Sequence, residues 1–409
     1  MKMPLLSRKH FPKIAPAWKS FLLLYGFFTI ISTFSSTFIN TFLLKATGDN
    51  NQVSSFYIVL GAVQPFAMLV AVYIIRLRSA LFSQALGFAL YAAGFLALSI
   101  LQQRAAANVL WIGAIFSAAN GFFFTTYALQ LLEYVTDDTR DSSYGLQNAL
   151  GGLIGILLPS VTGFLLARFS DFTGYTIIFM LGLIVSIASI VVVFRLEPLT
   201  NFAQRPQLGR ALHTLIFHRA ARAAMLASAA NGFYSGTMTF YLNMLMYAIV
   251  SSEAVIGVAQ TLASIAAILS SLVYSRIVRP ENRKKAILLS LTATIVAAIT
   301  LSAAFQLIPL IAFNTLLSVT SVFFLTPVMT AYVGAIERIR PLAGLGSEVH
   351  ALREFWYGTG RVLGILTTML LSDLRNGAII AIVIILGVQM LPALLMDAMQ
   401  ENASEEPNA

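Results

Sequence analysis

Residues 54–64 read SSFYIVLGAVQ, and residues 251–260 read SSEAVIGVAQ. Both stretches carry a Ser-Ser pair followed by Gly-x-x-Gln, at nearly the same offset inside an apolar segment. A looser echo links FSAANGFFFTT (116–126) with FNTLLSVTSVFFLT (313–326). Internal similarity at corresponding places of a chain indicates duplication. The sequence therefore predicts two related halves.

The composition is that of a polytopic membrane protein. Of the 409 residues 58% are hydrophobic and 11% are charged, whereas a soluble chain carries about 25% charged residues. The absence of cysteine excludes disulfides, thiolate metal sites and cysteine nucleophiles. The four histidines are scattered without metal-ligand spacing, so neither a metal nor a cofactor is expected. The net charge of +9 is attributed to cytoplasmic loops, and no nucleic-acid partner is expected.

Twelve segments are apolar and long enough to cross a bilayer, which takes about 20 residues. None shows the alternating pattern of a membrane barrel, so the predicted fold class is an all-α membrane protein. The first six spans lie at 19–44, 53–76, 79–102, 106–133, 143–168 and 173–195. The second six lie at 221–249, 252–277, 284–305, 307–335, 345–372 and 377–398.

The distribution of basic residues predicts the orientation. Twenty of the 26 Lys and Arg residues fall on one side of the predicted spans, four on the other, and Arg353 and Arg361 lie inside span eleven. The positive-inside rule then places both termini in the cytoplasm. The predicted organisation follows the spans. It comprises an N-terminal six-helix half (1–196), a cytoplasmic linker (197–220) with a short amphipathic helix over Leu208–Phe217, a C-terminal six-helix half (221–398) and a disordered acidic tail (399–409).

Twelve spans, cytoplasmic termini, a long basic central loop and the repeated halves resemble the major facilitator superfamily over nearly the whole chain. Members often carry Gly-x-x-x-Asp-Arg-x-Gly-Arg-Arg between spans two and three. Here that loop reads YIIRLRSALFSQ (73–84), without Asp or Gly, while YSRIVRPENRKKAI (274–287) in the second half is closer. Span five, GGLIGILLPSVTGF (151–164), is similar to the fifth span of family exporters but lacks their Gly before Pro159. The resemblance implies secondary active transport, and the incomplete motifs do not resolve a subfamily.

Span eleven contains LREFWYGTGR (352–361), in which two arginines and a glutamate interrupt an apolar segment. On a helix of 100° per residue the polar side chains share a sector about 100° wide. They are His350, Arg353, Glu354, Tyr357 and Arg361. Charged groups in a span face the bundle interior or a water-filled cavity. We expect Arg361 to bind an anionic substrate group or a moving carboxylate, with Glu354 as its partner or as a proton acceptor.

A static network is the alternative for this face. Glu354 would then pair with Arg361 or His350 and join two helices, while Arg353 would extend to the inner membrane surface. Tyr357 is favoured as a site residue because its ring can stack on a ligand or on an arginine.

Polar stripes on four other spans predict a central cavity. In the superfamily that the chain resembles, spans one, four, seven and ten line that cavity. The candidate lining residues are Tyr25, Thr29, Ser36 and Asn40 in span one, Asn120 and Tyr127 in span four, Asn231 and Ser235 in span seven, and Asn314 and Ser318 in span ten, with Asn148 added from span five. The alternative is that these side chains form contacts between helices.

The sequence thus predicts a secondary active transporter of the cytoplasmic membrane that moves a small solute by alternating access. The excess of basic groups in span eleven favours an anionic substrate, and a proton or another ion could be coupled. The alternatives are an exporter of neutral or cationic compounds, a lipid or glycolipid flippase, and a non-transporting sensor. No ATP-binding motif, nucleophile–base pair or metal constellation points to an enzyme. The expected partners are a small-molecule substrate and the lipid bilayer.

Overall fold

The computed structural model describes residues 16–48, 50–134, 140–169, 171–199, 205–250, 253–304, 306–342, 344–370 and 374–400. These residues form α-helices joined by short turns, and no strand occurs among them. The N-terminal segment 1–15, part of the predicted linker (200–204) and residues 401–409 of the predicted acidic tail lie outside the described residues.

The described residues form two sets of seven α-helices, of which α8 lies within the predicted linker. The first set comprises α1 Pro16–Thr33, α2 Ile39–Thr47, α3 Asn50–Leu77, α4 Ala80–Leu101, α5 Val109–Tyr134, α6 Arg140–Leu166 and α7 Thr173–Val193. The second set comprises α8 Leu208–Phe217, α9 Arg219–Ile249, α10 Glu253–Ile277, α11 Arg283–Ala303, α12 Leu307–Glu337, α13 Gly346–Leu370 and α14 Leu374–Gln400.

Eight long helical segments of the described chain are apolar enough to cross a membrane. They contain α1 with α2, and then α3, α4, α5, α6, α7, α10 and α12. The predicted spans seven, nine, eleven and twelve coincide with α9, α11, α13 and α14, which are long but more polar or only partly described. The membrane-type helical architecture is therefore present, and the count of twelve spans stays a prediction.

Span one is not a single regular helix. A π-helical turn, Phe34–Phe38, joins α1 to α2. Just before and within this turn, the hydroxyls of Thr33 and Ser35 donate to carbonyls three or four residues earlier, a pattern that often bends helices. A π-helical turn does not keep the 100° per residue of a regular α-helix, which the predicted polar stripe of span one assumes. As a result Ser36 is exposed whereas Asn40 is buried.

The helix contacts of the first set recur in the second. The pairs α3–α5, α4–α5, α4–α7, α1–α6 and α1–α7 correspond to α10–α12, α11–α12, α11–α14, α9–α13 and α9–α14. Two further pairs, α3–α13 and α6–α10, join the two sets. They correspond to each other, because α3 is equivalent to α10 and α13 to α6. Each set also buries a large apolar cluster, and that of the first set includes Ile365 of α13. This pattern agrees with duplication, and the domain boundaries themselves stay a prediction.

The short helix α8 spans Leu208–Phe217, the bounds that the sequence predicted. Its inward face carries the buried Ala211 and Leu215, while Leu212 and Phe217 on the other face are exposed. It packs against α9 and α13. A 10-residue helix is marginal alone in water, so this tertiary contact stabilises it.

Glycines bring α9 and α13 into unusually close contact. Each helix carries a Gly-x-x-x-Gly motif, and the four glycines are Gly232, Gly236, Gly360 and Gly364. A Cβ added at Gly232 would overlap the carbonyl oxygen of Tyr357, and one at Gly236 would overlap that of Arg361. Small residues at this spacing let membrane helices approach backbone to backbone. The contact fixes the rotation of α13 and hence the direction of its polar face.

Candidate functional site

Glu354 lies at the contact between α13 and α3. Its carboxylate is buried and accepts a hydrogen bond from Nε2 of Gln64 at 2.9 Å. The guanidinium of Arg361 lies 3.8 Å from the same oxygen. Gln64 ends the Gly-x-x-Gln echo of the first half, and its partner lies in the second set of helices. The three side chains therefore form a polar bridge between the two sets.

Arg361 is the least buried member of this bridge, with 16% of its side chain exposed. Its guanidinium lies 4.7 Å from the centre of the Tyr357 ring, close enough for a cation–π interaction. On α3, a Cβ added at Gly61 would stand 3.4 Å from Cδ of Arg361, so this glycine leaves room for the arginine. The charge of Arg361 thus faces a carboxylate and an aromatic ring of the protein itself.

Arg353 has a different environment. It is buried, with 8% of its surface exposed. Its Nε donates to the hydroxyl of Ser228 at 3.3 Å, and a terminal nitrogen contacts the sulfur of Met329 at 3.2 Å. The rings of Tyr332 and Tyr357 lie 4.9 Å and 5.7 Å from its guanidinium carbon. Within the described chain no carboxylate oxygen comes within 4 Å of this guanidinium.

A cavity of about 340 Å³ opens beside Arg353, between α9, α12 and α13. Its lining includes Asn231, Tyr234, Ser235, Met329, Arg353 and Tyr357. Asn231 is 5% exposed, and its amide oxygen has no hydrogen-bond partner among the described residues. The cavity therefore presents a cation, an amide oxygen without a hydrogen-bond donor among the described residues, two tyrosine rings and the thioethers of Met238 and Met329.

Four of the residues predicted from the sequence line this cavity, namely Arg353, Tyr357, Asn231 and Ser235. His350 is half-buried on α13, one turn before Arg353, and is not among the lining residues. Asn314 and Ser318 on α12 donate instead to the carbonyls of Ala259 and Asn314.

The candidates of the first half make contacts with other protein groups. The rings of Tyr25 and Tyr127 stack at 5.8 Å, and the Tyr127 hydroxyl donates to the side-chain oxygen of Gln147 at 2.5 Å. Thr29 donates to the carbonyl of Tyr25, and Asn120 accepts from the Tyr91 hydroxyl.

Further along the same stripe, Asn40 donates to the Ser36 carbonyl and to the Tyr57 hydroxyl. The side chain of Asn148 lies outside the described part of the structure. A role of these first-half residues in lining a cavity stays a prediction.

The structure adds a second buried carboxylate, on α13, that the sequence did not single out. Glu348 is fully buried and pairs with Arg76 of α3 at 3.1 Å, and the Arg76 side chain is 5% exposed. Glu348 also accepts from the Ser347 hydroxyl at 2.7 Å and from the backbone N–H of Gln207 at 3.3 Å. The spans predicted from the sequence put Arg76 at the last position of span two (53–76) and Glu348 near the start of span eleven (345–372), without linking the two. The sequence signal for this pair is Glu348 itself, a charged residue in the first turn of span eleven.

Comparison with solved structures identifies the architecture. The nucleoside transporter NupG superimposes with a TM-score of 0.66 at 13% identity, covering 94% of this chain and 99% of that one. A proton-dependent oligopeptide transporter gives 0.68 at 11% identity, covering 94% and 98%. The human organic anion transporter MFSD10 gives 0.63 at 14% identity, covering 93% and 97%. The chain has the major facilitator fold.

The fold expected from the resemblance is thus confirmed, and all three neighbours are membrane transporters rather than enzymes. Identities this low show the fold alone. No family model matches the chain. An uncharacterized protein of Bacillus subtilis (strain 168), YqgE, is 25% identical over 358 residues, which is 85% of this chain and 81% of that protein. An uncharacterized protein of Geobacillus stearothermophilus is 25% identical over 155 residues, 38% of this chain and 72% of that one.

Proposed function

We propose that this chain is a secondary active transporter that moves a small organic anion across the cytoplasmic membrane by alternating access. It has twelve spans in two six-helix halves, 1–196 and 221–398, with both termini in the cytoplasm. The observation that carries the proposal is Arg353, a buried cation at a cavity with no carboxylate partner in the described chain.

The argument for an anion rests on the free energy of burying charge. An arginine at the bilayer centre costs roughly 2.5–3.5 kcal/mol on insertion scales, and such residues mark substrate paths. The hydroxyl, sulfur and rings around Arg353 offset part of this cost, but no carboxylate of the described chain lies within 4 Å of its guanidinium. A carboxylate, phosphate or sulfonate on the substrate would supply the missing charge. The tyrosine rings and Met329 would then contact the apolar body of the substrate.

The bridge of Gln64, Glu354 and Arg361 is suited to coupling rather than to substrate binding. Arg361 already has a carboxylate at 3.8 Å, whereas Arg353 has none, so the structure supports Arg353 as the anion contact. Protonation of Glu354 would remove the counter-charge of Arg361 and weaken the contact between α3 and α13. Because that contact joins the two halves, a proton on Glu354 would bias their relative rotation.

Replacing Arg353 tests the substrate class. Thermal unfolding of the purified protein is measured with a panel of anionic, neutral and cationic metabolites, since a ligand that binds the folded state raises its stability. We expect certain anions to stabilise the wild type and to lose affinity in Arg353→Gln. A hydrogen bond to a charged group contributes about 1.5–3 kcal/mol, so the loss should be roughly 10- to 150-fold. The exposed Arg168→Gln serves as the control for removing one positive charge.

Other outcomes would redirect the proposal. Loss of the effect in Arg361→Gln but not in Arg353→Gln would move the anion to Arg361, as the sequence alone predicted. Stabilisation by neutral or cationic compounds that survives in both variants would favour a polyspecific exporter. No response to any soluble compound would favour a lipid flippase or a non-transporting protein.

Replacing Glu354 tests the coupling. In proteoliposomes, Glu354→Gln should lower the substrate accumulation that a proton gradient drives by at least about tenfold. The exchange of labelled for unlabelled substrate should persist. A permanently neutral side chain cannot alternate between protonation states, but it still permits the halves to rock. Glu281→Gln, in an exposed turn, is the control. Accumulation by Glu354→Gln equal to that of the wild type would exclude Glu354 as the coupling group.

A further inference from the structure

A second cavity, of about 510 Å³, lies between α11 and α14. Its walls are apolar, with Leu288, Leu289 and Ile295 on α11 and Met390 on α14. Thr292 also lines it, but its hydroxyl donates to carbonyls of its own helix and so needs no partner in the groove. Lys285 is the one charged residue of the lining.

The corresponding helices of the first half are in close contact at Gly182. There α7 lies directly on α4, since a Cβ added at Gly182 would come within 2.8 Å of the buried Phe95 ring. The first turn of α4 is Ala80-Leu81-Phe82, whereas that of α11 is Arg283-Lys284-Lys285. In the described chain, the groove and its basic mouth therefore belong to the second half alone, although the two helix pairs are related by the repeat.

The two lysines at the mouth of the groove, Lys284 and Lys285, differ in their ion-pair partners. The ammonium of Lys284 lies 2.8 Å from a carboxylate oxygen of Asp397 on α14. The neighbouring Lys285 is exposed and has no carboxylate within 4 Å among the described residues. The charge of Lys285 thus lacks a carboxylate partner in the described chain, at the end of an apolar groove.

The length of the groove matches one leaflet. From Lys285 to Ile295 a helix rises about 15 Å, which is half of the roughly 30 Å hydrocarbon core of a bilayer. Basic groups at the cytoplasmic ends of membrane helices attract anionic lipid headgroups. An acyl chain along the groove would place its headgroup beside Lys285.

We propose that the α11–α14 groove binds a phospholipid with an anionic headgroup from the cytoplasmic leaflet. The headgroup phosphate pairs with Lys285, and one acyl chain lies against Leu288, Leu289 and Ile295. The lipid is a resident ligand of this face, distinct from the solute that contacts Arg353. The leaflet assignment rests on the proposed orientation of the termini.

Lipid retention measured by native mass spectrometry tests this site. The full-length protein is exchanged into detergent with equal amounts of phosphatidylglycerol and phosphatidylcholine of identical acyl chains. We expect the wild type to retain phosphatidylglycerol roughly fivefold over phosphatidylcholine, the effect of about one basic residue near an anionic headgroup. Lys285→Gln should remove the preference, and Thr292→Phe, which fills the groove without changing charge, should reduce retention of both lipids.

The control is Arg78→Gln, which removes an exposed positive charge at the cytoplasmic end of α3 and should keep the wild-type preference. Lys285→Arg, which keeps the positive charge, should also keep the preference for phosphatidylglycerol. The proposal is overturned if the wild type shows no headgroup preference, if Lys285→Gln retains it, or if soluble glycerol phosphate competes as well as the lipid does. Each variant is first checked for a monodisperse peak on size exclusion.

Discussion

Gly360→Ala is expected to lower the free energy of unfolding by about 1–3 kcal/mol or more, because the added methyl group has no space. A Cβ at this position overlaps the carbonyl oxygen of Ala229 and comes within 2.9 Å of the backbone nitrogen of Phe233. Both are main-chain atoms of α9, so a change of side-chain rotamer cannot relieve the overlap. The helices must separate, which also moves Arg353 of α13 away from Ser228 of α9. Thermal unfolding in detergent measures the loss.

The matched control is Gly387→Ala on α14. No atom lies within 4 Å of the position that its Cβ would take. Alanine favours the helix over glycine by about 1 kcal/mol, so this variant should be neutral or slightly more stable. Equal unfolding temperatures for Gly360→Ala and Gly387→Ala would show that α9 and α13 do not meet backbone to backbone.

Glu348→Gln is expected to destabilise the protein by about 3–5 kcal/mol, the typical effect of removing one partner of a buried ion pair. The side chains of Arg76 and Glu348 are 5% and 0% exposed. The variant leaves the positive charge of Arg76 buried without its carboxylate. The exposed pair of Lys284 and Asp397 supplies the control, since Asp397→Asn removes an ion pair that contributes at most about 1 kcal/mol.

The double variant Arg76→Met with Glu348→Leu separates the buried charge from the packing. Replacing both ions by apolar residues is often neutral or stabilising, so much of the lost stability should return. If the double variant is no more stable than Glu348→Gln alone, the ion pair is not the origin of the effect.

The same pair should also resist separation of α3 from α13 at this end of the molecule. The chain has no cysteine, so spin labels can be placed cleanly with Arg78→Cys and Arg340→Cys, both at exposed positions. In the presence of Glu348→Gln the distance distribution between the labels should shift to longer values. An unchanged distribution would show that Glu348 stabilises the fold without holding the two helices together.

Much of the architecture could be predicted because it depends on local pattern. Apolar length located the helices, and the switch to amphipathic spacing gave the bounds of α8, Leu208–Phe217, as observed. Helical periodicity placed Arg353, Glu354, Tyr357 and Arg361 on one face of span eleven, and the structure turns that face toward the α3 contact and the cavity. The paired Gly-x-x-x-Gly motifs of α9 and α13 are also visible in the sequence.

The partners of that face could not be predicted in the same way. Glu354 meets Gln64 across 290 residues of sequence, and Glu348 meets Arg76 across 272. The sequence favoured Arg361 as the anion contact, yet Arg361 lies beside a carboxylate and Arg353 lies beside a cavity. Periodicity specifies which side chains of a helix share a face. Their depth and their opposing groups depend on how closely the backbones approach, and here the glycines between α9 and α13 set that distance and with it the site of the unneutralised charge.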